Sequence, residues 1–162
     1  MSDWLFPLPK RYKVTQRFGA RPQYYRKWGF PGHEGVDYGA PIGTPVYAMR
    51  DGTVKMVHRI AHNHNYGLHV RLTHKADDAE YETIYAHLER IDQNLQIGDL
   101  VQKGQTIGYV GSTGNSTGPH LHITIKKKGA SDSGKTHFPR DVIDPEEILK
   151  SAAIATIKEK AK

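Results

Sequence analysis

Two of the chain's ten histidines, His120 and His122, stand one leucine apart in the stretch Gly111 to Ile123, GSTGNSTGPHLHI. Side chains on a strand alternate between faces, so residues two apart point the same way. His120 and His122 then share one face, and Leu121 points into a core behind it. Neighbouring imidazoles are poor packing material, but they suit holding a metal ion or moving protons beside one. A solvated pair of surface histidines is the competing reading, and the rest of the chain has to decide between them.

A second set of donors lies upstream in His33-Glu34-Gly35-Val36-Asp37, an imidazole and a carboxylate four residues apart. On a helix that spacing would put both on one face. Gly35, Gly39, Pro41, Gly43 and Pro45 argue against a helix. In a straight strand the two Cα atoms would be roughly 13 Å apart, too far to share an ion. The pattern therefore predicts a bend around Gly35 that brings His33 and Asp37 together. The helical zinc motif H-E-x-x-H is absent, because Asp37 stands where its second His would be, and Glu34 reads as a solvated surface carboxylate. His33, Asp37 and one of His120 and His122 make two imidazoles and one carboxylate. Three protein ligands with an open position is the pattern of catalytic zinc, which acidifies a water and polarises a carbonyl. The other histidine of the pair, with His87, could move protons or stabilise a developing oxyanion. The chain has no cysteine, so thiolate sites and disulfides are excluded.

The elements that position these residues read as β-rich. Strands are predicted at Tyr12 to Phe18, Pro45 to Ala48, Gly52 to Val57, Leu68 to Leu72, Glu82 to Leu88, Leu100-Val101 and Thr106 to Val110, with the last continuing through the His120/His122 stretch to Ile125. Parity over ETIYAHL places Thr83, Tyr85 and His87 on one face and Ile84 and Ala86 on the other. Gly19 to Gly32 reads as a loop with aromatic anchors, either a cover over the core or a groove wall. Asp77-Asp78-Ala79-Glu80 is an acidic turn, and Lys126-Lys127-Lys128 a basic strand edge. His58, His62 and His64 lie in a polar loop and read as bystanders, and His69 and His74 as structural. After a polar loop from Ala130 to Arg140, Asp144-Pro145-Glu146-Glu147 starts a C-terminal helix expected over about 144–160, with an apolar stripe through Ile148, Leu149, Ala152, Ala153 and Ile157.

The 162 residues fit one domain, expected to be a monomer, able to bury a core. The net charge of +6 suits a polyanionic partner: nucleic acid, an anionic membrane or an anionic cell wall. No charged leader with an apolar run opens the sequence, and no stretch is long enough to cross a membrane.

The motifs HEGVD, YAHL, GDLVQKGQTIG and STGPHLHI, in that order, resemble the lysostaphin-type zinc endopeptidases of bacterial cell walls. FGARP, APIGTPVYA and DGTV extend the resemblance over about 17–125. It implies a mainly antiparallel all-β fold of the duplicated-hybrid-motif kind with a groove over the sheet. It implies zinc ligands His33, Asp37 and His122, unligated catalytic histidines His87 and His120, and peptidoglycan peptide bonds as the substrate. Neither nucleic acid nor stable membrane association is expected on this reading. The lack of an export signal or wall-binding module resembles a phage endolysin, made in the host cytoplasm and released to the wall at lysis; an excised domain of a secreted autolysin is the alternative. Two rival functions stand beside it. One is a non-catalytic relative that activates another wall hydrolase. The other is a sugar-transport phosphocarrier or lipoyl-like carrier, whose sheets share turns such as GDLVQKGQTIG. The full set of donors disfavours both. Arg21, Tyr24, Tyr25 and Trp28 are candidate groove walls.

Overall fold

The computed structural model describes residues 3–29, 32–76, 79–130 and 141–155, the side chain of Trp28 excepted. The strands are β1 (Val14–Gln16), β2 (Val36–Tyr38), β3 (Pro45–Tyr47), β4 (Gly52–His58), β5 (Leu68–Lys75), β6 (Glu80–Ile91), β7 (Leu100–Val101), β8 (Thr106–Val110), β9 (Leu121–Lys127) and β10 (Val142–Ile143). They form one sheet in the order β1-β2-β9-β6-β5-β4-β7, with β10 on β9 and β8 bridging β3 and β6. Every named pairing is antiparallel. The expected mainly antiparallel all-β class is what the chain adopts.

Strand β9 lies between β2 and β6 and sets the register of the region. Leu121, Ile123 and Ile125 are fully buried in the core with Val36, Val70, Leu72 and Tyr85. Burying each such aliphatic side chain contributes about 1.5–3 kcal/mol. A one-residue slip would turn all three to the opposite face, so the register is strongly held. The alternate positions, His122 and Thr124, are thereby forced onto the other face. Asp37 and Ala86 are the cross-strand partners of His122, on β2 and β6 respectively.

Two expectations change at the ends of the chain. Gly19 to Gly32 is not wholly loop: it holds a short helix α1 (Pro22–Tyr25) and a 3-10 turn at Arg26–Trp28. Proline at the first helical position presets φ for that turn. The C-terminal helix α2 is only Glu146–Leu149. Asp144 starts it as expected, its Oδ1 accepting from the Glu146 amide at 3.0 Å. It stops early because tertiary contacts take over: Arg11 donates to the carbonyls of Leu149 and Ala152, and Phe6 donates to the Ala153 carbonyl at 2.8 Å. Lys150 to Ala155, predicted as helix, are not helical, and Ala153 instead forms a parallel bridge with Leu5. The predicted helix from 156 on, including Ile157, lies outside the described residues, as do Asp77, Asp78 and the loop from 131 to 140.

Candidate active site

His33 precedes β2 in a bent segment, and Gly35 makes the bend possible. A Cβ at Gly35 would collide with the Ile123 carbonyl oxygen and stand 2.9 Å from His122 Cε1. With only hydrogen there, the segment lies against β9, and His33 Nε2 comes within 3.4 Å of Asp37 Oδ1. His122 Nδ1 stands 3.0 Å from the same carboxylate oxygen and 3.1 Å from His33 Nε2. These are the three atoms that could hold a metal ion among the described residues. The bend inferred from Gly35 is thus present.

The hydrogen bonds behind these atoms fix which lone pairs face inward. A carbonyl only accepts, so His33 Nδ1–H donates to the Arg17 carbonyl at 3.2 Å and leaves Nε2 unprotonated. His122 Nε2 meets the Thr124 hydroxyl at 2.7 Å, which leaves Nδ1 for the cluster. Two nitrogen lone pairs and a carboxylate oxygen that converge at these distances repel unless a proton or a metal cation lies among them: protons there let His122 Nδ1 and His33 Nε2 donate to Asp37, and a metal ion would take their place. The donor set is that of a divalent metal centre with outer hydrogen bonds orienting each imidazole. Burial alone would raise the Asp37 carboxyl, but hydrogen bonds from His122 and His33 and their charge hold it well below the usual carboxylate range. Burial disfavours charge on His122, yet the hydrogen bond and charge of Asp37 raise its pKa.

The two remaining histidines sit beside this cluster. His120, just before β9, has its ring 4.7 Å from that of His87, and its Nε2 3.7 Å from Asp37 Oδ2. Its Nδ1–H donates to the Gly118 carbonyl at 2.8 Å, and His87 Nδ1–H donates to Thr113 at 2.7 Å. In the neutral form of each ring the proton then sits on Nδ1, and Nε2 is the nitrogen with the free lone pair. Burial, then the charges of His122 and His120, push the His87 pKa down to about 3.

His87 does not follow the strand parity. Tyr85 points into the core, its hydroxyl accepting from the Met49 amide at 3.0 Å, and simple alternation would send His87 with it. Instead His87 has φ +62, and the β5–β6 register slips between Leu68 and Val70. That local break turns the ring to the face of His122. The His87 amide is satisfied by the Tyr66 carbonyl at 2.8 Å.

Glu34 is also unlike its expected role. It is buried, 3.7 Å from His122 Nε2 and 3.9 Å from His33 Nε2. Tyr66, absent from the sequence-based candidates, packs its ring 5.2 Å from His122, and burial with the nearby Glu34 charge raises its hydroxyl pKa. Neither residue carries a spacing signal: the return of the β4–β5 loop toward β9 places Tyr66, and the close approach of Gly35 to β9 buries Glu34. The groove over the cluster is walled by Arg21, Tyr24 and Tyr25 on one side and by Asn65, Tyr66 and Asn115 on the other. Burial raises the Tyr25 pKa to about 12, so its hydroxyl stays neutral. The Trp28 side chain lies outside the described atoms. His58, His64 and His69 stack on one another, with centroids 4.7–5.5 Å apart, away from the cluster. His74 is structural, bonded to the Asp51 carbonyl and the Thr83 hydroxyl at 2.8 Å each.

Residues 31–133 match Peptidase family M23. The chain belongs to that family. It is 36% identical over 124 residues to the peptidoglycan DD-endopeptidase ShyC of Vibrio cholerae, a match covering 76% of this chain and 27% of ShyC. The chain thus spans about a quarter of the length of that relative. The M23 fold is shared with the catalytic domain of the antimicrobial peptidase lysostaphin from Staphylococcus simulans, at 34% identity and TM-score 0.65, over 86% of this chain and 93% of that one. A zinc-containing peptidase from Vibrio cholerae superposes at 29% identity and TM-score 0.67, over 91% of this chain and 39% of that one.

Proposed function

We propose that the protein is a zinc-dependent endopeptidase that hydrolyses peptide bonds in the stems or cross-links of bacterial peptidoglycan. The observation that carries this reading is the convergence of His33 Nε2, Asp37 Oδ1 and His122 Nδ1 at the floor of a groove, with two further imidazoles beside them. His33, Asp37 and His122 are the proposed ligands. A zinc ion held there would supply Lewis-acid activation of a water and of the scissile carbonyl. The groove walls hold the peptide over the cluster. Nε2 of His87 and of His120 are the proposed proton acceptors and donors, each ring locked in that tautomer by its Nδ1–H bond to a backbone carbonyl. Glycan cleavage normally uses a pair of carboxylates across the scissile bond, whereas the two carboxylates of this groove, Asp37 and Glu34, are both turned to the imidazoles of His33 and His122.

The likeness to the lysostaphin catalytic domain supports a bacteriolytic role, and we place the enzyme at the wall during host-cell lysis, as an endolysin. Digestion of purified wall is the test. It should release new amino termini and no new reducing sugar ends. Reducing ends without amino termini would overturn the endopeptidase reading.

A further inference from the structure

A second cavity, of about 320 Å³, adjoins the groove and shares Glu34, Asn65 and Tyr66 with it. Its cationic side is formed by Arg71 and Lys126, with Ile84 and Thr124 on the floor. This follows from the register. On the groove face of β9 and β6, His122/Ala86 is followed by Thr124/Ile84 and then by Lys126/Glu82, and Arg71 on β5 is the partner of Ile84.

Arg71 is not used up by the fold. Its Nε is buried with no hydrogen-bond partner. Its guanidinium lies 5.8 Å from the Tyr66 ring centroid and makes only a loose ion pair with Glu82, at 3.7 Å. Lys55 takes Glu82 Oε1 at 2.5 Å, and Glu82 Oε2, which faces Arg71, stays beyond hydrogen-bond reach of it. The carboxylate lining the cavity, Glu34, faces the imidazoles of His122 and His33. What remains is a part-buried planar cation with an unpartnered Nε and a loose ion pair, next to a lysine and one wall away from the cluster. A guanidinium fork in that state suits a carboxylate, which it can hold through two parallel hydrogen bonds.

We propose that this cavity is a carboxylate subsite, in which Arg71, aided by Lys126, binds the free carboxylate of a stem-peptide residue flanking the scissile amide. The inference rests on the endopeptidase reading and sharpens it. A cross-link between stems carries such carboxylates, and a Gly-Gly bridge carries none, so the enzyme selects stem cross-links.

Calorimetry on the zinc-loaded protein tests this with two probes, the stem tetrapeptide L-Ala-γ-D-Glu-L-Lys-D-Ala and the same peptide with its carboxylates converted to carboxamides. Wild type should bind the carboxylate form at least tenfold more tightly. Arg71→Gln should bind both alike, at the affinity wild type shows for the amide, and Arg71→Lys should retain part of the preference. Equal binding of both probes by wild type would overturn the proposal, as would an undiminished preference in Arg71→Gln, since the metal alone could then account for it. Because binding is read without turnover, absence of cleavage would count against the endopeptidase reading and leave this result intact.

Discussion

At the scale of single residues, His87 shows how the site is made at some cost to the fold. A non-glycine residue at positive φ costs about 1–2 kcal/mol, and His87 accepts that strain to present its ring beside His120 and His122. Glycine at the same position carries no Cβ penalty. His87→Gly should therefore be more stable than His87→Ala by about 1 kcal/mol in chemical denaturation, while both lose most turnover. Equal stabilities would mean that the left-handed conformation is not a source of strain. Glu34 shows the opposite limit. Its neighbours in sequence gave it no partner, so a solvated carboxylate was the natural expectation. Its burial follows from Gly35, which lets the whole segment lie flat on β9.

Among the elements, what the sequence made legible tracks how local the cause was. The alternation of Leu121, Ile123 and Ile125 with His122 is a property of one strand, and β9 has it. The turns around Gly98 and Gly104 and the short strands β7 and β8 were equally readable, because turn residues act locally. The face of His87 was not, since it depends on a register slip set by β5. The length of α2 was not either, since Arg11, distant in sequence, takes its terminal carbonyls. The packing of β5 also has a consequence for acid stability. His69 is buried with Nδ1–H donated to the Gly67 carbonyl at 2.9 Å, and burial together with the Arg71 charge lowers its pKa to about 4. Burial lowers the pKa of His74 as well. A histidine with a depressed folded pKa stabilises the native state fully above its unfolded value of about 6.5, and that contribution is lost as pH falls toward the folded value. Native stability should thus decline between about pH 6.5 and 4. His69→Gln should flatten the decline by about one proton, roughly 1.4 kcal/mol per pH unit, and an unchanged slope would show that His69 is already charged in the native state.

For the molecule as a whole, the net charge of +6 and the groove act over different distances. Attraction to an anionic wall is long-ranged and screened over about 8–10 Å at moderate salt, whereas the chemistry at the cluster is local. Lysis of whole cells should weaken as salt rises from 50 to 300 mM, and cleavage of a small soluble peptide should change far less. Equal sensitivity would remove the role assigned to steering. The central claim is that His33, Asp37 and His122, and not the histidines beside them, hold the metal. Zinc content per chain, measured on purified wild type and single alanine variants, tests it most directly. Wild type, His87→Ala and His120→Ala should each hold one zinc, and Asp37→Ala and His122→Ala none; zinc retained at full stoichiometry in Asp37→Ala, or lost in His120→Ala while His122→Ala keeps it, would overturn this ligand set.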